Sequence, residues 1–127
     1  MKIATIVTIS LLLAAPALAD DPVSLVGTWK GEAVGVGAQD GWDRHELIME
    51  IEEQQSTAFK GVKSYGTAGA YDTTEIYGSM TPDGRVVVVV DEDGVFSGSM
   101  AGPDSIDLCY TETGEDASAG CSRLERQ

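Results

Sequence analysis

Leu25-Val26-Gly27-Thr28-Trp29-Lys30-Gly31-Glu32-Ala33-Val34-Gly35-Val36 is the first long strand-like run of the chain and holds one of its two tryptophans. It reads as the founding strand of a small β-barrel. No stretch downstream keeps a helical period for three turns. Short runs rich in Val, Ile, Tyr and Phe instead alternate with Gly, Asp and Pro clusters about a dozen residues apart, the pattern of an all-β meander, sandwich or barrel. Fifteen glycines in 127 residues point the same way.

Eight strands are predicted, over 25–36, 45–53, 58–65, 73–80, 85–91, 94–101, 105–112 and 119–126. In the second, Leu47, Met49 and Ile51 share one face and Glu46, Glu50 and Glu52 the other, which is a strand with one wet side. Val86 to Val90 is apolar on both faces and gives no parity, and Lys60 and Lys63 leave the third strand ambiguous. The last hairpin carries its own check. If Cys109 opposes Cys121, then Asp107 meets Arg123 and Ile106 meets Leu124, so acid faces base and apolar faces apolar. That register predicts a Cys109–Cys121 disulfide on the outer face, with Ile106, Leu108, Tyr110 and Leu124 pointing inward.

Lys2, the apolar run Ile3 to Leu13 and the A-x-A sequence Ala17-Leu18-Ala19 predict a signal peptide over 1–19, leaving a single β-barrel domain over 20–127. The apolar run is shorter than the roughly 18 residues of a spanning helix, so no membrane anchor is expected after cleavage. A periplasmic or secreted bacterial location follows, an oxidising setting in which two cysteines pair. The formal charge of −13 repels nucleic-acid phosphates and anionic lipid, and it favours cations and basic proteins. Adaptation of a soluble surface to a salty habitat accounts for the same charge.

In an up-and-down barrel, alternate connections fall at the same end. One end gathers Gly37 to Arg44, Gly66 to Asp72, the Asp91-Glu92-Asp93-Gly94 turn and Thr113 to Ser118, and the other has only short turns, so the first is expected to be a loop-rich mouth. Acids collect there with Trp42, His45 and Tyr71, and barrel mouths are common ligand sites. Acidic residues also suit turn geometry without any ligand.

Chemistry beyond binding has little support. One histidine beside Asp40 and Asp43 is a poor metal set, Asp91 to Gly94 lacks the spacing of a calcium loop, and no nucleophile elbow, phosphate loop or dinucleotide fingerprint occurs. No catalytic residue, metal or cofactor is expected, and the chain is read as a binding protein rather than an enzyme.

Gly27-Thr28-Trp29 resembles the G-x-W signature on the first strand of the calycins, the lipocalins, fatty-acid-binding proteins and avidins. The resemblance implies an eight-stranded antiparallel up-and-down barrel, with Trp29 across the closed end and a basic residue of the last strand against its ring. Arg126, which shares the parity of Leu124, matches that role. The later ligand-stacking tryptophans of the avidins have no counterparts, so biotin binding is not implied. Small exported inhibitors of lysozyme or of metalloproteases are similar in size and build.

Two functions are expected as alternatives. In the first, Trp42, Asp43, His45, Tyr65, Tyr71 and Tyr77 form a mouth for a small amphipathic or cationic molecule, with Gly31, Ala33, Gly35, Gly61, Gly78 and Gly98 leaving space inside. In the second, Asp91, Glu92 and Asp93 contact a basic protein such as a lysozyme or protease, which the chain inhibits.

Overall fold

A computed structural model of the protein describes residues 22–127 together with Ala14; the expected signal peptide therefore lies outside the described residues. Eight strands are formed: β1 (Gly27–Gly37), β2 (Gly41–Gln55), β3 (Ala58–Thr67), β4 (Ala70–Met80), β5 (Val86–Val90), β6 (Val95–Gly102), β7 (Ser105–Glu112) and β8 (Ser118–Arg126). They follow one another in sequence order, all antiparallel, and β1 pairs with β8 to close the barrel. No helix is present among the described residues.

Alternation places the core. Leu47, Met49 and Ile51 of β2, Ile76 and Met80 of β4, Phe96 of β6 and Leu108 and Leu124 of the last hairpin are all buried inside. In β5 the two faces separate although both are valine: Val87 and Val89 are buried, whereas Val86, Val88 and Val90 lie on the outer wall. In the last hairpin Cys109 pairs with Cys121, Asp107 with Arg123 and Ile106 with Leu124, and the Cys109–Cys121 disulfide lies on the exposed side.

One end is sealed. Trp29 and Leu25 have no exposure, and the Trp29 Nε1–H donates to the Leu25 carbonyl at 2.8 Å. The segment before β1 is tied across this end because the Leu25 N–H donates to Gln54 Oε1 at 2.7 Å and Gln54 Nε2 donates to the Val23 carbonyl at 2.9 Å. Over the indole sits the Arg126 guanidinium, its central carbon 4.3 Å from the ring centroid. It donates to the carbonyls of Val26 and Ser24 and to Asp104, so a charge-assisted network holds the plug in place.

Two expectations about the opposite end need correction. The mouth is not loop-rich: its first two turns span only 38–40 and 68–69, because Trp42 pairs with Val36, Asp43 with Gly35, Tyr71 with Gly66 and Asp72 with Tyr65. Gly41 and Gly69, with φ of 70° and 88°, let the chain reverse tightly, and the polar residues around them continue the ladder. Nor do most of the small residues leave space. A Cβ on Gly61 would fall 1.9 Å from the Glu50 carbonyl oxygen, and one on Gly78 would fall 2.2 Å from the Phe59 ring, so these glycines admit a neighbouring strand and a packed aromatic.

Candidate functional site

The packing stops partway up the barrel. Above it lies a cavity of about 530 Å³, open at the end opposite Trp29, a size within the usual range of about 300–1,000 Å³ for small-molecule sites. It is hollow because β1 and β8 bring only small residues to its wall, Ala33, Gly35, Gly37, Ser118, Gly120 and Ser122, and a Cβ on Gly35 or Gly120 would meet the neighbouring strand's backbone at 2.9 Å. Gly35 and Gly120 are register partners, which lets the two strands run close together on this side.

The floor centres on a residue that sequence reasoning missed. Lys63 is only 6% exposed and forms an ion pair with Asp91, whose side chain is 1% exposed. The ammonium also lies over three aromatic rings, 4.9 Å from the centroid of Tyr65 and 5.3 Å from those of Phe96 and Tyr110. A buried lysine is tolerated when its charge is paired and its remaining faces meet π-electrons. The signal lies in two parities that have to be read together. Phe59, Gly61 and Lys63 share a face of β3, and Asp91 continues the inward series of Val87 and Val89.

Asp91 serves two structures at once. Its Oδ1 accepts the N–H groups of Asp93 at 2.9 Å and Gly94 at 2.8 Å, and its Oδ2 takes the lysine. Burial on its own would raise the Asp91 carboxyl; the Lys63 ammonium and the two amides outweigh it and hold the carboxyl below the usual carboxylate range. Burial pushes the Tyr110 phenol well above its ordinary range, reinforced by the charges of Asp91 and Glu112, and Tyr65 moves up for the same leading reason with Asp72 adding to it. Both tyrosines are therefore neutral donors at physiological pH, and Tyr110 donates to Glu112 at 3.2 Å.

Carboxylates dominate the rim. Asp40, Asp43, Asp72, Glu92, Asp93, Glu112 and Asp116 line the cavity, and Lys63 is the only lysine or arginine that lines it among the described residues. Since Asp91 already neutralises Lys63, the field at the opening is negative. His45 stands among these acids, 2.8 Å from Asp43 Oδ2 and edge-on to Tyr65 with centroids 5.4 Å apart. No group of three or more potential metal ligands is found among the described residues.

The structure divides the residues expected at the mouth. Asp43, His45 and Tyr65 line the cavity, and Trp42, Tyr71 and Tyr77 do not. Trp42 has the parity of the outward acids of β2 and is 84% exposed on the outer wall. Tyr71 and Tyr77 have the outward parity of β4 and donate to Glu46 and Glu75 on the outside. Glu92 and Asp93 are exposed at the rim, but the Asp91 carboxylate is withdrawn into its ion pair and is not presented to a partner.

Neither a protein-family model nor a curated protein matches the sequence. Among solved structures, the chain is similar to EF1p2_mFAP2b bound to DFHBI, at 14% identity and a TM-score of 0.60, covering 81% of this chain and 94% of that one. It is also similar to the S-type phycobiliprotein lyase CPES from Guillardia theta, at 11% identity and a TM-score of 0.52, covering 81% and 88% of the two chains. At such identities the likeness shows the fold alone, and it agrees with an eight-stranded antiparallel barrel.

Proposed function

We propose that the protein is an exported calycin-type binding barrel that takes a small amphipathic cation in its mouth, without catalysing a reaction on it. The observation that carries this reading is an acidic rim over an aromatic floor whose one ammonium is already paired. A ligand with a positive group would place that group among the carboxylates and its apolar body against Phe96, Tyr110 and Tyr65. Phe96 and Tyr110 already pack against each other with centroids 4.7 Å apart, a preformed apolar platform. The structural likeness to a barrel bound to DFHBI supports the reading by analogy of fold.

Calorimetric titration with aromatic ammonium ions of graded size, each beside a neutral isostere, tests it. The cations should bind more tightly than the isosteres, the preference should shrink with added salt, and Glu112→Gln with Asp93→Asn should reduce it. Equal affinity for cation and isostere would sink the reading.

A second reading is inhibition of a basic hydrolase. The exposed pair Glu92 and Asp93 favours it, because the bonds to Asp91 stiffen the turn that presents them. Lysozyme binding that disappears in Glu92→Gln/Asp93→Asn would support it, and unchanged binding in that variant would count against it.

A further inference from the structure

The barrel wall has a seam. β4 runs for 11 residues but β5 for only five, and their register joins Tyr77 to Val90, Gly78 to Val89, Ser79 to Val88 and Met80 to Val87. Above Tyr77, the segment from Ala70 to Ile76 has β3 on one side and no strand on the other among the described residues.

The direction of its peptide groups can be read from the bonds at the lower end of β4. The Met80 N–H donates to the Thr57 carbonyl, toward β3, and the next one, that of Thr81, donates to the Val86 carbonyl, toward β5. Backbone groups of successive residues point to opposite sides of a strand, and the β3–β4 register runs without a bulge from Ala58–Ser79 to Thr67–Ala70. Tyr71, Thr73 and Glu75 therefore present their N–H and C=O groups to the open seam. The side chains of Tyr71, Thr73 and Glu75 lie on the outer wall, and Asp72 between them lines the cavity. The register of β4 with β5 ends at Tyr77 and Val90, so the chain that continues past Val90 on the far side of the seam is the β5–β6 turn with Glu92 and Asp93.

We propose that this edge of β4 accepts an extended basic peptide segment as an added strand. Main-chain hydrogen bonds to Tyr71, Thr73 and Glu75 would hold it, and alternate lysine or arginine side chains would reach the acids Asp72, Glu92 and Asp93. A second copy of this chain is a poor occupant, because edge-to-edge pairing would set Asp72 and Glu75 of two chains with a formal charge of −13 each against one another. The backbone bonds it offers are separate from the small-molecule site, and the acids Asp72, Glu92 and Asp93 are shared with that site's rim.

The probe is a seven-residue peptide of alternating lysine and valine with blocked ends, beside the same peptide carrying N-methyl groups on alternate residues. Without peptide, the amides of Tyr71, Thr73 and Glu75 should exchange with solvent faster than those of Tyr77 and Ser79. The unmodified peptide should slow them, and one of the two N-methylated registers should bind about tenfold more weakly or worse, with its charge unchanged. Tyr71→Pro, which removes one edge donor at a residue that does not line the cavity, should weaken the peptide while leaving aromatic-cation binding intact. Equal binding of the methylated and unmodified peptides overturns the proposal. So does protection of the same three amides by concentration-dependent self-association without peptide.

Discussion

Trp29 and Trp42 show how little a residue type says without its position. Both sit near glycines on one hairpin, yet one is wholly buried under Arg126 and the other is 84% exposed. Trp29→Ala should cost about 3–5 kcal/mol as a large-to-small core change, and Trp42→Ala about 0.5 kcal/mol or less as a surface change. Urea denaturation of both variants checks this; equal midpoints would contradict the assignment of the sealed end. Trp29 was legible because Gly27-Thr28-Trp29 and the inward parity of Arg126 point to one another. Trp42 reads as a loop residue because Ala38 to Gly41 is rich in turn formers, and only its pairing with Val36 shows that β2 already runs through it.

Lys63 and Asp91 raise the same issue for charge. Lys63→Met should destabilise by about 3–5 kcal/mol, because it strands a buried carboxylate, and Lys63→Met/Asp91→Asn should recover much of that loss. The carboxyl of Asp91 is depressed in the folded chain, so its stabilisation is complete above the unfolded carboxyl value of about 3.9 and fades as pH falls through the lower folded value. Wild type should lose stability in that acidic window more steeply than the double variant; parallel pH profiles would show that the pair contributes nothing. The pair was hidden in the sequence because Lys63 joins Lys60 on a strand of mixed polarity, and its partner sits 28 positions away at the end of an all-valine run.

At the scale of elements, the last hairpin was the most legible part. Opposite charges, matched apolar residues and two cysteines all select one register for β7 and β8, and that register is the one observed. Removing the Cys109–Cys121 link with Cys109→Ser/Cys121→Ser should cost about 2–4 kcal/mol through the freer unfolded chain while leaving the register intact. Retained nuclear Overhauser contacts between Ile106 and Leu124 would confirm that, and a shifted register would show that the disulfide alone sets the pairing. The mouth was less legible, because loop length is a poor guide when glycines with positive φ turn the chain within two or three residues. β4 and β5 meet over a short stretch only. Their four-residue register leaves an edge that strand counting does not reveal.

At the scale of the molecule, the two ends of the barrel differ in filling rather than in loops. An indole, a leucine and a guanidinium close one end; small side chains on β1 and β8 leave the other hollow beneath a ring of acids. Strand alternation was readable from hydrophobic period alone, because burial of one face is what selects the pattern, whereas the eight-stranded antiparallel barrel was an expectation from the resemblance at Gly27-Thr28-Trp29. The cavity was not, since hollowness depends on which small residues face open space and which face a neighbour's backbone.

The charge preference of that hollow end is the property that decides whether it is a site for cations. Tetraphenylphosphonium and tetraphenylborate have nearly the same shape and opposite charge, and each can be titrated while backbone amide shifts are followed. Saturable shifts at Lys63, Tyr65, Phe96 and Tyr110 are expected with the cation, weakened by salt, and none there with the borate. Equal responses to both ions, or cation-induced shifts confined to the outer wall around Trp42 and Tyr77, would contradict that preference.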